Sequence, residues 1–502
     1  MQLKDLKTKK LYDYQQKDLD TIFEAFDSAD RGANLLYQLP TGGGKTVVFS
    51  EIAKRYINTT KKKVVVLTHR IELSAQTSRM LTGFGVTNKV INSEVKEFQD
   101  QDKYMCFVAM VETLHNRLQD EHIEFHDIGL VIIDEAHYNS FKKLFKFFNE
   151  ALILGVTATP LSSNAKLPMK NNYQKLIIGE SIPALIKKGY LAKANLFNHN
   201  ISLKTLKTGM NGDYTVKSSD ELYGNQQMLA TLKTCYEDIA LGTKTLIFNN
   251  GISTSKYVYE VFNKAGYPIK HLDNKNTASE RASILKWFKT TPDAILTSVS
   301  ILTTGFDEPT VESIILNRAT RSLTLYFQMI GRGSRVLNDK KNFNVIDLGN
   351  NIARFGAWDA AIDWHEIFLF PDFFLESIKN DEEIEREFVY EMPEALKSEF
   401  ANSTSLEFDI KEKYKEALSS GKRSKSVLDD SISQHAKMCI ENSEDVFDAR
   451  ILAKKLKDDI AYRVRLYSYC IMNNTKNYKE WLAEDYERKL RSKISQLFAQ
   501  KL

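Results

Sequence analysis

Apolar residues at Leu19, Ile22, Phe23 and Phe26, after Leu11-Tyr12-Asp13-Tyr14-Gln15-Gln16-Lys17, recur at intervals of three and four. That is the spacing of one helix face, and it predicts a helix leading into the short apolar run Ala33 to Tyr37. The pattern then alternates. Val47 to Tyr56 has helical spacing, Val64 to Thr68 is a continuous run rich in β-branched residues, and Ile71 to Leu81 is helical again. Met105 to Ala109, Leu130 to Ile133 and Leu152 to Thr157 complete a set of strands apolar on both faces, as a parallel sheet covered by helices requires. Residues 196–225, with Asn198, Asn200, Gly209 and Asn211-Gly212-Asp213, are polar and turn-rich and read as a bridge. A second alternation follows: strands at Lys244 to Asn249, Ala294 to Thr297, Ser313 to Leu316 and Asn344 to Asp347, with a helix over Ser255 to Ala265. Beyond Pro371 strand signals stop, and Ile451, Leu452, Leu456, Ile460, Val464, Tyr467 and Ile471 keep helical spacing. The expected architecture is α/β: a parallel-sheet domain over 1–195, a bridge over 196–225, a second α/β domain over 226–370 and a mostly α-helical region over 371–502.

Composition changes this picture little. A chain of 502 residues exceeds what one core supports, and 43% apolar with 27% charged residues is ordinary for a globular protein. A net charge of +4 permits a nucleic-acid partner without requiring one. The basic stretch Ser419 to Ser426 reads as a solvated loop, the alternative being that its basic residues touch a phosphate backbone. Cys106, Cys235, Cys439 and Cys470 are too scattered for a metal pair and too few for a disulfide framework, and the N-terminus lacks an apolar signal core. No apolar run is long enough to cross a bilayer. A cytoplasmic location without membrane contact is expected.

Candidate chemistry lies at the strand ends. In Gln38-Leu39-Pro40-Thr41-Gly42-Gly43-Gly44-Lys45-Thr46 the glycines let backbone N–H groups turn inward ahead of a helix N-terminus, which makes a phosphate cradle. Lys45 would reach the β/γ-phosphates and Thr46 a magnesium ion. Leu39 stands where the full pattern has its first glycine, and the alternative is a glycine-rich turn without a ligand. Asp134 and Glu135 follow an apolar strand, where Asp134 would hold the same magnesium and Glu135 would activate water; the alternative is an exposed acidic turn. Residues 226–370 contain no second phosphate loop, so that domain would have to act on the nucleotide from outside.

Thr41 to Thr46, Asp134-Glu135-Ala136-His137, Thr157-Ala158-Thr159-Pro160, Thr303-Thr304-Gly305-Phe306-Asp307 and Gln328-Met329-Ile330-Gly331-Arg332-Gly333-Ser334-Arg335 resemble, in order, the motifs of superfamily 2 helicases of the DEAH type. The resemblance covers roughly residues 10 to 355 and implies two tandem RecA-like P-loop domains with ATP and Mg2+ between them. It implies that Gln15 reads adenine; Tyr12 stands where the subgroup usually has an arginine. It assigns the nucleotide to Thr41, Gly42, Gly43, Gly44, Lys45, Thr46, Gly305 and Asp307, catalysis to Glu135 and Lys45, and finger roles to Arg332 and Arg335 beside Gln328. His137, Thr157 and Thr159 would couple hydrolysis to domain movement. Thr68-His69-Arg70, Thr113 and Thr304 match segments that touch a nucleic-acid backbone, although either of the last two threonines could be a helix cap. Gly212-Asp213-Tyr214, Ala319-Thr320-Arg321-Ser322 and Ile346 to Asn351 with Arg354 and Gly356 resemble the branch of xeroderma-pigmentosum-group-B-type repair helicases, phage helicases and restriction-translocase motors. The expected function is an ATP-dependent DNA helicase or translocase. The alternatives are the motor subunit of a restriction or defence system acting with a separate nuclease, an RNA helicase, and a nucleotide-gated switch that binds nucleic acid without moving along it. Protein partners would attach through the helical C-terminal region.

Overall fold

The structure, a computed structural model, describes residues 11–92, 101–120, 123–164, 166–210, 212–299, 302, 306–388, 390, 392–471 and 476–500. It has two compact units: residues 1–195 with 205–379, and residues 196–204 with 380–502.

The first unit carries two parallel sheets. The first comprises β1 (Asn34–Gln38), β2 (Lys63–Thr68), β3 (Asn88–Ile91), β4 (Cys106–Met110), β5 (Ile128–Asp134), β6 (Leu152–Thr157) and β7 (Lys175–Ile178), in the order β3-β4-β2-β5-β6-β1-β7. Every side chain of β2 is buried, which is why that stretch reads as one apolar run. Helices α1 (Asp13–Asp27), α2 (Lys45–Thr60), α3 (Ile71–Gly83) and α4 (Val111–Gln119) belong to this domain. Register fixes the site: Gln38 lies opposite Thr157 and Asp134 opposite Val156, so the C-terminal ends of β1, β5 and β6 meet at one edge.

The second sheet comprises β8 (Lys193–Asn198), β9 (Thr245–Asn249), β10 (Ile269–Leu272), β11 (Ile295–Val299), β12 (Ser313–Asn317) and β13 (Asn342–Asp347), in the order β10-β11-β9-β12-β13-β8. β8 begins immediately after the segment Lys188 to Ala192 that joins the two sheets. The turn-rich stretch after β8 does more than bridge. Asp213 accepts hydrogen bonds from the Thr320 hydroxyl at 2.7 Å and the Arg321 amide at 2.8 Å, and the helix Val216–Tyr223 that follows buries Tyr223. The polar turn is thus used to clasp the second sheet. Asn211 lies outside the described residues.

The second unit is helical. Ile410–Ser419, Ser426–Glu441, Val446–Lys455, Lys457–Cys470 and Lys476–Ala499 enclose a core that includes Leu456, Ile460, Val464, Leu490 and Ile494. Ile451 is exposed, because the periodic run belongs to successive helices that meet at Leu456. A polar network crosses this core. His435 Nε2 lies 2.6 Å from Asp459 Oδ2, its Nδ1 2.9 Å from Tyr486 Oη, and Arg463 Nε reaches Asp459 at 2.7 Å. Burial, and then the Arg463 charge, outweigh Asp459 and hold the His435 imidazole down to about 4. An unfolded histidine takes its proton near 6.5, so between about pH 6.5 and 4 the unfolded chain binds more protons than the folded one. Stability should therefore fall as pH drops through that window, on the order of 2–3 kcal/mol. Hydrogen exchange of Ser426–Glu441 and Lys476–Ala499 in the intact chain at pH 7 and pH 5 checks this; protection unchanged, or higher, at pH 5 is the opposing result.

Among the described residues no helix is long and apolar enough to cross a membrane.

Candidate functional site

The phosphate loop connects β1 to α2. Gly44, at the N-cap of α2, has φ +85, and a Cβ there would lie 2.5 Å from Gln15 Nε2, so only glycine fits. Gln15 Nε2 donates to Gly43 O at 3.0 Å and lies 3.3 Å from Tyr14 Oη, while its Oε1 accepts from the Tyr12 amide at 3.0 Å. The carboxamide expected to read adenine thus also ties α1 to the loop. Leu39, in place of the first glycine, is wholly buried and its amide donates to Thr157 O at 3.0 Å, which anchors the loop to β6.

Gln15, Thr41 to Thr46, Asp134, Glu135, Asp307, Arg332 and Arg335 line one cleft of about 550 Å3. Tyr12, Tyr14 and Tyr190 line it too, with ring centroids 4.5 Å apart for Tyr12–Tyr190 and 5.0 Å for Tyr14–Tyr190. The Tyr190 ring is tilted by 43° to Tyr12 and by 55° to Tyr14, so the three make an aromatic ledge of angled faces along the cleft. Tyr190 carries no motif signal; only the fold brings it here, from the joining segment after Gly189.

Both domains build the site. Arg335 Nη1 donates to Gly42 O at 2.5 Å and its Nε to Asp307 Oδ1 at 2.8 Å, while Arg332 Nη1 donates to Phe306 O at 2.5 Å. Asp307 is thereby a partner of Arg335. Leu191 and Ser334 crowd Gly42, and the Ala192 amide donates to Ser334 O at 2.8 Å. A Cβ on Gly331 would lie 2.5 Å from Thr41 Cγ2, so the finger loop approaches the phosphate loop closely.

Electrostatics sort the charged groups. Burial pulls the Lys45 ammonium below its ordinary value against the attraction of Glu135 and Asp134. Burial, then the neighbouring Glu135 charge, raises Asp134. For Glu135 burial acts upward, but Lys45, His137 and Arg332 outweigh it and leave the carboxyl below its usual range. Arg332 is lowered to about 10 by burial and then by Arg335, and it remains cationic at neutral pH. Glu135 sits at φ +54, a left-handed conformation that costs a side-chain-bearing residue about 1–2 kcal/mol. The turn around it is fixed by Ala136 N to Val156 O at 3.0 Å and Tyr138 N to Glu135 O at 3.2 Å. Its Oε2 is buried without a hydrogen-bond partner among the described residues.

Behind the cleft, His137 Nδ1 lies 3.4 Å from Glu135 Oε2 and 3.1 Å from Thr157 Oγ1, and Thr157 Oγ1 donates to Thr159 O at 2.9 Å. Thr159 Oγ1 lies 2.8 Å from Thr324 Oγ1 of the second domain. Gln328 is buried in the helix Leu323–Ile330, outside the cleft lining. His69 faces inward, with its ring centroid 4.2 Å from that of Tyr138 and a hydrogen bond to the Glu135 backbone, so it belongs to the wall behind Glu135. Arg70 is the N-cap residue of α3, and Thr113 lies inside α4, whose N-cap is Met110, so Thr113 is no helix cap. Thr304 and Gly305 lie outside the described residues.

Residues 8–162 match the family model described as type III restriction enzyme, res subunit, and residues 227–336 match the helicase conserved C-terminal domain. Two RecA-like domains carrying these modules in this order define the class: the chain belongs to the superfamily 2 helicases, which are ATP-hydrolysing motor enzymes. It is 28% identical over 338 residues to a 51.5 kDa protein of a Lactococcus phage, covering 66% of this chain and 69% of that one. It is 26% identical over 365 residues to the ATP-dependent helicase candidate IRC3 of Saccharomyces cerevisiae, covering 67% of this chain and only 51% of the yeast protein. Among solved structures, the ATP-dependent type ISP restriction-modification enzyme LlaBIII bound to DNA superposes with a TM-score of 0.52 at 15% identity, over 98% of this chain and 42% of that chain.

Proposed function

We propose that this chain couples ATP hydrolysis to movement along, or unwinding of, DNA in the cytoplasm, and that it is of the DEAH type within its superfamily. The observation that carries this is the two-sided cleft, in which Arg335 of the second domain donates to Gly42 of the phosphate loop. In this reading the loop and Lys45 hold the phosphates, Glu135 takes the proton of an attacking water, and Arg332 and Arg335 offset the charge that develops on the γ-phosphoryl group. The Thr46 hydroxyl and the Asp134 carboxylate are hard oxygen donors suited to Mg2+, and the upward pull on Asp134 is what a divalent cation would relieve. Such an ion would neutralise phosphate charge. DNA is preferred over RNA because the LlaBIII structure, similar over both units, is of a DNA-bound enzyme. The same likeness, with the res-subunit match, favours a second reading: a restriction or defence motor whose nuclease is a separate chain, attached through the helical unit.

The test is ATP turnover with no nucleic acid, duplex DNA, single-stranded DNA and RNA, followed by strand displacement. Stimulation by DNA with displacement supports the reading. Stimulation by RNA alone overturns it, and DNA-stimulated turnover that leaves duplex and triplex substrates intact indicates a switch.

A further inference from the structure

Lys340 is a buried cation in the second domain that carries no motif signal. It stands in a tight turn, where its amide donates to Leu337 O at 3.2 Å and the Leu337 amide donates to Lys340 O at 3.1 Å. Its ammonium points back under the finger loop and donates to Gly333 O at 2.8 Å and to Pro309 O at 2.9 Å. Among the described residues it forms no ion pair. Burial, against the attraction of Glu312 and Glu308 and with the repulsion of Arg335, draws it down to about 8, so it is a cation at neutral pH. Burying a charge without a counter-ion is costly. Apart from the Phe343 ring, 6.0 Å away, two backbone carbonyls are what hold this one.

Those carbonyls belong to the two segments that hold the arginines. Gly333 lies between Arg332 and Arg335. Pro309 ends the segment Phe306 to Pro309, in which Phe306 O accepts from Arg332 Nη1 at 2.5 Å and the Asp307 carboxylate accepts from Arg335 Nε at 2.8 Å. The two segments are thus tied through Arg332, Arg335 and Lys340. In the reading of Arg332 and Arg335 as fingers, on which this inference rests, both guanidinium groups turn to phosphate oxygens in the transition state and give up Phe306 O and Asp307. The Lys340 bridge contains no group that has to turn, so of these three ties it is the one that persists. We propose that Lys340 is a positioning residue: its ammonium fixes the spacing between the finger loop and the segment Phe306 to Pro309, and so keeps Arg332 and Arg335 aimed when they leave their ground-state partners.

The experiment measures kcat, KM for ATP and ATP-binding stoichiometry in Lys340→Met, Arg332→Ala and the double Lys340→Met/Arg332→Ala protein beside the natural chain, on the nucleic acid that gives the highest turnover. Lys340→Met keeps the length of the side chain and removes its donors and its charge. It should lower kcat about tenfold and leave KM within about twofold, since the aim of the fingers acts on the transition state. In the Arg332→Ala background the same change should cost about threefold or less, because one of the two groups it aims is already gone. Should Lys340→Met bind less than the natural amount of ATP, Lys340→Gln takes its place: it keeps two N–H donors on a side chain one bond shorter, and should show a smaller loss of kcat with the same dependence on Arg332. A kcat within about twofold of the natural chain, a loss carried by KM, or an equal factor lost in both backgrounds overturns the proposal, the last by assigning Lys340 to the stability of the domain as a whole. If Arg332→Ala itself keeps the natural kcat, the finger reading fails and takes the proposal with it.

Discussion

Glu135→Gln is expected to lower ATP turnover by about 10²–10⁴-fold while nucleotide binding stays close to that of the natural chain. The substitution keeps the shape of the side chain and removes only its capacity to take a proton. Glu135 is suited to that task because Lys45, His137 and Arg332 hold it ionised against burial, and because its Oε2 has no hydrogen-bond partner among the described residues. The left-handed backbone at this position, with the fixed turn that follows, aims the carboxylate. Phosphate release together with binding of a fluorescent ATP analogue measures both quantities. Turnover within about threefold of the natural chain would remove Glu135 from the role of base.

The second large effect is expected at Arg332. Arg332→Ala should reduce kcat by about 10³-fold or more with a much smaller change in ATP affinity, because a charge supplied at the transition state contributes little to ground-state binding. The side chain is half-buried in the cleft lining, remains cationic, and comes from the domain that lacks a phosphate loop. Arg332→Lys should not restore the rate, since a lysine cannot present two aligned N–H donors to phosphate oxygens. A loss confined to KM, with kcat preserved, would place Arg332 among binding residues instead.

The sequence made the centre of each sheet visible and left its edges hidden. The strands legible as apolar runs are β1, β2, β4, β5 and β6 in the first sheet and β9, β11, β12 and β13 in the second, all interior to their sheets. Those that escaped, β3, β7, β8 and β10, are the edges. An edge strand is short and partly solvated: Asn88–Ile91 and Lys175–Ile178 mix charged with apolar residues, so no continuous run marks them. The phosphate loop, the acidic pair and the arginines were legible because their chemistry demands particular residues at particular spacing. Tyr190, Thr324 and the inward position of His69 were not. A tyrosine, a threonine and a histidine fit many environments, and only the packing of distant segments gives these a place beside the nucleotide cleft.

The short segment from Lys188 to Ala192 joins the two sheets directly through the cleft: Tyr190 belongs to its aromatic ledge, Leu191 crowds Gly42, and Ala192 is bonded to the finger loop. For protein engineering this forbids the obvious chimaera. A cut between the domains at this segment removes part of the nucleotide pocket, so an exchange of second domains with another motor has to carry residues 188–192 along with the ledge formed by Tyr12 and Tyr14. The same holds for insertions: a fluorescent or affinity module placed at this junction would disable the enzyme, whereas the exposed loop from Ser420 to Lys425 in the helical unit lies far from it in sequence and offers a safer position.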